Sequence, residues 1–130
     1  MYFFVFIRVI LHLKKYLFIL TKCMTRPEQF KNKYTKEQRY TESGRILQKY
    51  PDKIPIICEK YIHDKSEFIL DKSKYLTNSD MTLGQFLYII RKRIKMDPKQ
   101  SLFMFCENTL IPGNMLLKEA YQKHKDEDGF

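Results

Sequence analysis

The spacing of apolar and polar residues first predicts one helix followed by one buried strand. Apolar and small residues recur at helical spacing from Thr35 to Lys49, and Pro51 ends that helix. Its predicted inner face consists of Tyr40, Ser43, Gly44 and Leu47. The segment from Lys53 to Tyr61 is rich in β-branched residues and apolar on both alternating sets, which is typical of a central strand buried on both faces.

A second strand and a capped helix are predicted further along the chain. The segment from Phe68 to Leu76 mixes apolar and polar positions, which favours a strand at the edge of a sheet. Thr82 and Gln85 form a capping box, because their side chains can bond free backbone amides at the start of a helix. The apolar face of that helix consists of Leu83, Phe86, Leu87, Ile90 and Ile94.

The last third of the chain predicts a hairpin and a short helix. Asp97 and Pro98 resemble the start of a short helical turn, and residues 101–112 indicate a strand, a polar turn and a return. Residues 114–125 indicate a helix whose inner positions are Met115 or Leu116, Leu117 and Tyr121. The whole order predicts an α+β fold, with one mixed sheet and the capped helix packed across it. This is a β-grasp arrangement with one element fewer.

Residues 1–20 are strongly apolar, but charged residues interrupt the run. Arg8, Lys14 and Lys15 lie within it, and the longest uncharged stretch is residues 1–7. A membrane-spanning helix needs roughly 20 mostly apolar residues, so this segment would be a poor span. Three interpretations stay open: a basic amphipathic helix on a membrane surface, a tolerated N-terminal extension, or translated upstream sequence with Met24 as the first residue.

Composition indicates one globular domain with a basic surface. The chain has 130 residues, of which 44% are hydrophobic and 30% charged, and its formal net charge is +9. This balance suits anionic membranes, acidic peptide segments or nucleic acid, and does not choose among them. Cys23, Cys58 and Cys106 are odd in number and widely spaced, so we expect free thiols in a reducing compartment.

Motifs that would indicate an enzyme are absent from the sequence. It contains no glycine-rich phosphate loop, no H-E-x-x-H and no G-x-S-x-G, so we expect neither catalysis nor a cofactor or metal. A dyad of Cys58 or Cys106 with His63 or His124 is conceivable, but both cysteines fall in apolar strands and are better explained as core residues. The basic run from Arg91 to Lys95 is best explained as a solvated helix face, ahead of an acidic-peptide contact and of nucleic acid, which we do not expect as a partner.

Four segments of the chain share their residues with a known family. They read EQR-x5-RILQKYPDKIPIICEKY, LDKSKYL, SDMTLGQFLYIIRKRI and YQKHKDEDGF, and they follow one another in the family's order and near its spacing. On these residues the chain, from about Phe30 to Phe130, resembles the microtubule-associated light chain three and GABARAP family of autophagy modifiers. We accordingly divide it into an apolar and basic extension, residues 1–23, and a ubiquitin-like domain, residues 24–130.

The resemblance implies a ubiquitin-like core preceded by helices, with a groove for peptides of the form W/F/Y-x-x-L/I/V. Such peptides bind by β-augmentation, in which an edge strand supplies backbone hydrogen bonds and two apolar pockets accept alternate side chains. The implied partners are cargo receptors and adaptors that carry this motif, together with the autophagosomal membrane. The family's processing protease and conjugation enzymes are implied if a full-length tail exists. The implied location is the cytoplasm, and the autophagosome membrane for a lipid-conjugated form.

The resemblance also assigns the groove residues by position. The edge strand is Lys74, Tyr75 and Leu76. The aromatic pocket is formed by Glu42, Ile46, Pro55, Ile57, Lys74, Leu76 and Phe130. The second pocket is formed by Tyr75, Thr77, Met81, Phe86 and Ile89, and acidic residues beside the motif are attracted by Lys72, Lys74 and Arg93. The Thr77-Asn78 pair departs from the family's usual Val-Pro at the second pocket.

The resemblance further implies a strand and a tail after the K-D-E-D-G-F segment. Family members continue with a strand that usually begins Leu-Tyr or Val-Tyr, and a later glycine is conjugated to phosphatidylethanolamine. Because this chain ends at Phe130, we expect the last strand to be absent and its two neighbours in the sheet to be left unpaired. Gly129 is not the counterpart of the conjugated glycine, so the chain contains no expected lipidation residue. The alternative function is a non-conjugatable peptide-binding adaptor, or a truncated remnant of such a modifier.

Overall fold

A computed structural model describes residues 1–8, 29–61, 64 and 68–130. Along the chain, the elements are β1 Tyr2–Arg8, α1 Gln29–Lys33, α2 Lys36–Lys49, β2 Lys53–Lys60, β3 Lys74–Asn78, α3 Leu83–Arg93, β4 Ser101–Cys106, β5 Thr109–Leu110 and α4 Leu117–His124. Among the described helices, none is long and apolar enough to cross a membrane. The prediction that Met24 begins the domain falls outside the described residues.

One mixed sheet of five strands organises the fold, in the order β3-β2-β1-β4-β5. β1 runs parallel to β2, with Tyr2 opposite Ile57, and antiparallel to β4, with Val5 opposite Met104. The pairs β2–β3 and β4–β5 are antiparallel. β3 and β5 are therefore the two edges of the sheet.

β1 lies in the middle of the sheet, which differs from what the sequence predicts for the N-terminal residues and for the edges of the sheet. From the sequence, residues 1–23 are expected to lie outside the domain and two sheet edges to be unpaired, whereas residues 2–8 pair with β2 on one side and with β4 on the other. The expectation of unpaired edges is wrong because β1 fills the space between them. A short run of aromatic and β-branched residues suits a central strand, although periodicity cannot separate it from a buried helical segment. The helical interpretation is wrong for residues 2–8.

α3 packs across one face of the sheet and forms the main core. Its capping box is present, with Thr82 accepting from the Gln85 amide and Gln85 accepting from the Thr82 amide. Of the predicted apolar face, Leu83, Phe86 and Ile90 are fully buried. The other buried members of this core are Met1, Ile54, Ile56, Cys58, Tyr75, Met104, Cys106, Ile111, Leu117 and Ala120. The prediction of a capped helix across a mixed sheet is confirmed.

The opposite face of the sheet carries a smaller cluster beneath α1 and α2. Phe30, Ile57 and Phe130 are buried there, and Tyr34 and Ile46 pack against them. α2 begins after Thr35, which forms a second capping box with Gln38. The predicted inner face of this helix is partly wrong, since Tyr40 is 66% exposed while Ser43 is buried.

Two predicted segments take a different local form. β3 begins at Lys74 instead of Phe68, and Phe68 packs against the main core without joining the strand. The Asp97–Pro98 segment forms a turn instead of a helix, because the Asp97 carboxylate accepts from the Lys99 amide and its carbonyl accepts from the Gln100 amide. The predicted hairpin after residue 101 is confirmed, and its turn places Glu107 and Asn108 at positive φ.

Candidate peptide-docking groove

The outer strand β3 alternates between exposed and buried side chains. Lys74 and Leu76 are exposed, while Tyr75 and Thr77 are buried. β3 pairs with β2 along one side and ends the sheet, so in the described part of the chain no strand covers its other side. An uncovered edge that carries apolar and basic side chains can accept an extended peptide through its backbone.

The predicted aromatic-pocket residues share one face of the sheet. Leu76 lies opposite Pro55 and Lys74 lies opposite Ile57, so all four belong to the side that α1 and α2 cover. Ile57 and Phe130 are buried at the base, whereas Leu76 remains 42% exposed above them. The structure therefore brings a buried apolar base and an exposed leucine together between β3 and α2.

The chain segment before Phe130 holds that aromatic ring in the base of the pocket. The Phe130 ring meets the Phe30 ring edge-on, with centroids 5.4 Å apart. The Phe130 amide donates to the Asp128 carboxylate, and the Asp126 amide donates to the Phe130 carbonyl. Asp128 also forms an ion pair of 2.6 Å with Arg39 of α2, and both side chains are nearly buried. The pocket base is thus fixed to α2 by polar contacts as well as by apolar packing.

An ion pair bridges the two sides of the aromatic pocket. The Lys74 ammonium of β3 lies 2.5 Å from the Glu42 carboxylate of α2, and both side chains are partly exposed. Lys74 also lies 5.7 Å from the centre of the Tyr34 ring. Exposed pairs of this kind contribute only about 0–1 kcal/mol, so an incoming acidic group can replace Glu42 at low cost.

The predicted second pocket is only partly accessible. Tyr75 and Phe86 form a T-shaped pair with centroids 5.4 Å apart and belong to the main core. Thr77 is buried beside them, and its hydroxyl donates to the Ile54 carbonyl. Of the five residues assigned to this pocket, Met81 is partly buried and Ile89 is 37% exposed, so these two reach the surface. Tyr75, Thr77 and Phe86 support that surface from below.

An open depression of about 890 Å³ adjoins the second pocket. It is lined by Asp52, Asn78, Ser79, Asp80, Met81, Thr82, Gly84, Gln85, Tyr88 and Ile89. Met81 and Ile89 are common to the depression and the predicted pocket. Asp52 and Tyr88 are not among the residues predicted for the pocket from the sequence. The position of Tyr88 on α3, off the predicted apolar face, was the available signal.

Basic residues flank the second pocket on the side towards residue 71. Lys72 and Arg93 lie 5.0 Å and 5.9 Å from the centre of the Tyr75 ring. Arg93 also forms an ion pair of 2.8 Å with Asp71. Burial raises the pKa of Tyr75 to about 12, so this phenol stays neutral at physiological pH.

The cysteine chemistry considered from the sequence finds no support in the geometry. Cys58 and Cys106 are buried free thiols, and burial raises the pKa of the Cys58 thiol well above its ordinary value. A buried neutral thiol is a poor nucleophile. Within residues 1–8, 29–61, 64 and 68–130, no group of three or more His, Cys, Asp or Glu side chains could hold a metal ion. His63 lies outside the described residues.

The mixed sheet with α3 packed across it defines the class of this molecule, which is a ubiquitin-like protein. The family model described as "Autophagy protein Atg8 ubiquitin like" matches residues 38–130. The chain belongs to this Atg8 family of autophagy proteins.

Individual relatives agree with the family match. The chain is 52% identical over 103 residues to autophagy-related protein 8 of Schizosaccharomyces pombe, covering 78% of this chain and 84% of the relative. It is 50% identical over 102 residues to the protein of that name from Mycosarcoma maydis, covering 78% and 85%. The crystal structure of Trypanosoma brucei ATG8 superposes with a TM-score of 0.74 at 36% identity, covering 81% of this chain and 90% of that chain.

Proposed function

We propose that this autophagy modifier recruits cargo receptors and adaptors by binding extended peptides of the form aromatic-x-x-aliphatic along β3. The observation that carries the proposal is the uncovered strand edge with Leu76 exposed over the buried base of Ile57 and Phe130. In this arrangement the peptide adds a strand to the sheet, and its first side chain enters the space between β3 and α2. Its fourth side chain packs on Met81 and Ile89.

Charge around the groove supports a preference for peptides with acidic residues beside the motif. Lys74 borders the first pocket, while Lys72 and Arg93 border the second. Glu42 and Asp71 already neutralise Lys74 and Arg93 through partly exposed ion pairs. An acidic peptide would exchange one weak pair for another, so the charges contribute more to association rate and selectivity than to affinity.

We propose binding, and not catalysis, as the activity of the chain, at work in the cytoplasm and at the autophagosomal membrane. Burial of Cys58 and Cys106 supports this. The proposal gives Gly129 a structural role, because its amide donates to the Asp126 carbonyl and its carbonyl accepts from the Tyr121 hydroxyl. Conjugation to phosphatidylethanolamine would use the family's protease and conjugation enzymes and a glycine other than Gly129. The alternative of membrane attachment through residues 1–22 loses support, since residues 2–8 pair within the sheet.

The test compares two groove variants with a matched surface variant. A fluorescent peptide with tryptophan at the first motif position, leucine at the fourth and acidic residues before them is titrated with each protein. We expect Leu76→Ala to weaken binding by roughly tenfold, because an apolar contact at the centre of the interface is lost. Lys74→Ala should weaken it by a few fold and reduce its salt dependence.

The control variant is Leu110→Ala, since Leu110 is 50% exposed, similar to Leu76 at 42%, but lies on β5 at the opposite edge of the sheet. It should bind the peptide like the parent protein. Circular dichroism and melting curves must match among the three variants. Unchanged affinity in both groove variants, or a loss in Leu110→Ala as large as in Leu76→Ala, would remove the site assignment.

A further inference from the structure

β1 joins two parts of the sheet that have no strand pairing with each other in the described chain. On one side lie β2 and β3, and on the other lie β4 and β5. Backbone register is defined from Tyr2 to Val5 against β2 and from Phe4 to Arg8 against β4. We call the space between β2 and β4 the strand slot. Its two strand edges carry backbone N–H and C=O groups, and a single extended segment can form hydrogen bonds with both edges.

The first residue anchors this segment in a defined register. Met1 is fully buried in the main core, and its carbonyl accepts from the Ile57 amide at 2.8 Å. Its α-amino group lies near Asp126 and Asp128. The Ile57 amide belongs to β2 and the two carboxylates belong to the segment before Phe130, so every copy of the chain carries the complete site for the strand.

β1 is also the element that can leave the fold with the least disruption. It lies at one end of the described chain, and residues 9–28 separate it from α1. A segment of that many residues spans at most roughly 65–70 Å, about twice the width of a small domain. Release of β1 requires no other described strand to be unthreaded, and the connection is long enough to lead into a neighbouring molecule.

We propose that the strand slot is a binding site for an apolar extended segment in trans, and that its occupant is residues 1–8 of a second copy of this chain. The run Met1–Ile7 is uncharged and rich in aromatic and β-branched residues, which suits a site with core on both sides. Two copies exchange their β1 strands reciprocally and form a closed dimer. Each copy recovers the same register, so the contacts made in the dimer equal those of the monomer.

Because the contacts are equal, concentration decides between the two forms. The strand binds its own slot at the effective concentration that covalent attachment within one chain provides, and exchange becomes favourable as protein concentration approaches that value. The slot lies on the side of β2 away from β3, so exchange leaves the peptide edge of β3 uncovered. The inference thus stands apart from the proposed peptide function, and neither test bears on the other.

Mixed cysteine variants test exchange in the full chain. Arg8 lies directly opposite Ser101 in the β1–β4 pair, and opposite residues of antiparallel strands have Cα atoms about 4.5–5.5 Å apart, within disulfide range. One protein carries Arg8→Cys and the other carries Ser101→Cys, both in a Cys23→Ser background because Cys58 and Cys106 are buried. The two are mixed at high concentration, oxidised, and analysed by mass under non-reducing conditions.

We expect a covalent heterodimer between the two proteins at several times the background yield, and its amount should rise with protein concentration before oxidation. The background comes from mixing Arg8→Cys with Lys118→Cys, an exposed position on α4 that no exchange brings near β1. A heterodimer yield equal to that background overturns the proposal. The single chain with both Arg8→Cys and Ser101→Cys should form an internal disulfide at low concentration, and failure to do so would also overturn it, because β1 would then not occupy the slot.

Discussion

At the scale of single residues, Gly129 has a backbone conformation and a close neighbour that a residue with a Cβ atom would tolerate poorly. Its φ is +83°, and a Cβ placed there would lie 2.4 Å from the Ser43 hydroxyl oxygen. That hydroxyl donates to the Asp128 carbonyl at 2.5 Å and cannot withdraw without losing the bond. We predict that Gly129→Ala lowers the free energy of unfolding by about 1–3 kcal/mol, measured by urea denaturation.

Gly44 provides the matched control for that substitution. It lies on the exposed side of α2, and a Cβ built there has nothing within 4 Å. Alanine is a better helix former than glycine, so Gly44→Ala should raise the free energy of unfolding by up to about 1 kcal/mol. Equal effects of the two substitutions would show that neither backbone conformation nor the contact with Ser43 matters at Gly129.

At the scale of elements, three ion pairs tie the C-terminal segment to α1 and α2. They are Lys31 with Asp126, Lys36 with Glu127, and Arg39 with Asp128. Their surroundings differ: the Arg39 and Asp128 side chains are 11% and 2% exposed, whereas Lys36 and Glu127 lie in solvent. Arg39 also donates to the Lys31 and Tyr34 carbonyls. The three pairs follow one another along the chain, and we expect only the buried one to contribute strongly to stability.

We predict that Arg39→Ala lowers the free energy of unfolding by about 3–5 kcal/mol, because it leaves Asp128 charged and buried. Lys36→Ala should leave the denaturation midpoint unchanged, since solvent screens that pair. Urea titrations of both variants at low and high salt measure the difference. A stronger effect for Lys36→Ala would contradict this account of the segment.

The elements predicted from sequence were those with local signals. Each of these signals lies within about a dozen residues: the capping box at Thr82, the apolar residues on both faces of β2, and the hairpin after residue 101. β1 was not foreseen, because its partners Ile57 and Met104 are distant in sequence and a short apolar run has no distinctive period. The inward prediction for Tyr40 is wrong because helical spacing shows which residues share a face but not which face meets the sheet.

The residues of the candidate site were predicted from the family resemblance. Which of them are accessible and which are buried could not be predicted in this way. Alternation along β3 could in principle place Tyr75 and Thr77 on one side and Lys74 and Leu76 on the other. It could not show that Tyr75 belongs to the core, because that depends on packing against Phe86 of α3. The groove therefore has fewer accessible residues than its sequence assignment contains.

At the scale of the whole molecule, the buried α-amino group links stability to pH. Burial lowers the pKa of the Met1 amine from 8.0 to about 5, despite the nearby negative charges of Asp128 and Asp126, which raise it. Between these values the unfolded chain binds a proton that the folded chain does not, so the free energy of unfolding falls as pH falls. We predict a loss of about 3 kcal/mol from this group between pH 8 and pH 5.

A chain labelled with ¹³C at methionine Cα measures this titration directly and separates it from the histidines. The Met1 signal should titrate near pH 5 in the folded protein and near pH 8 in urea. Asp126 acts in a different range: although burial raises its pKa, the bonds from Lys31 and the Glu127 amide lower it overall, so its contribution is lost only in acid below about pH 4. A folded Met1 titration near pH 8 would contradict the burial of the amine.

The anchoring of Met1 brings the two ends of the described chain close together. The Met1 carbonyl bonds the Ile57 amide, Ile57 packs in the same cluster as Phe130, and the Met1 amine lies near Asp128. Residues 1 and 130 are therefore neighbours, and a short glycine-rich linker could join them while new ends are opened between residues 8 and 29. In such a circular permutant β1 would follow α4 as the last strand of the polypeptide. Among the described strands, the central one would then follow the other four in sequence instead of preceding them.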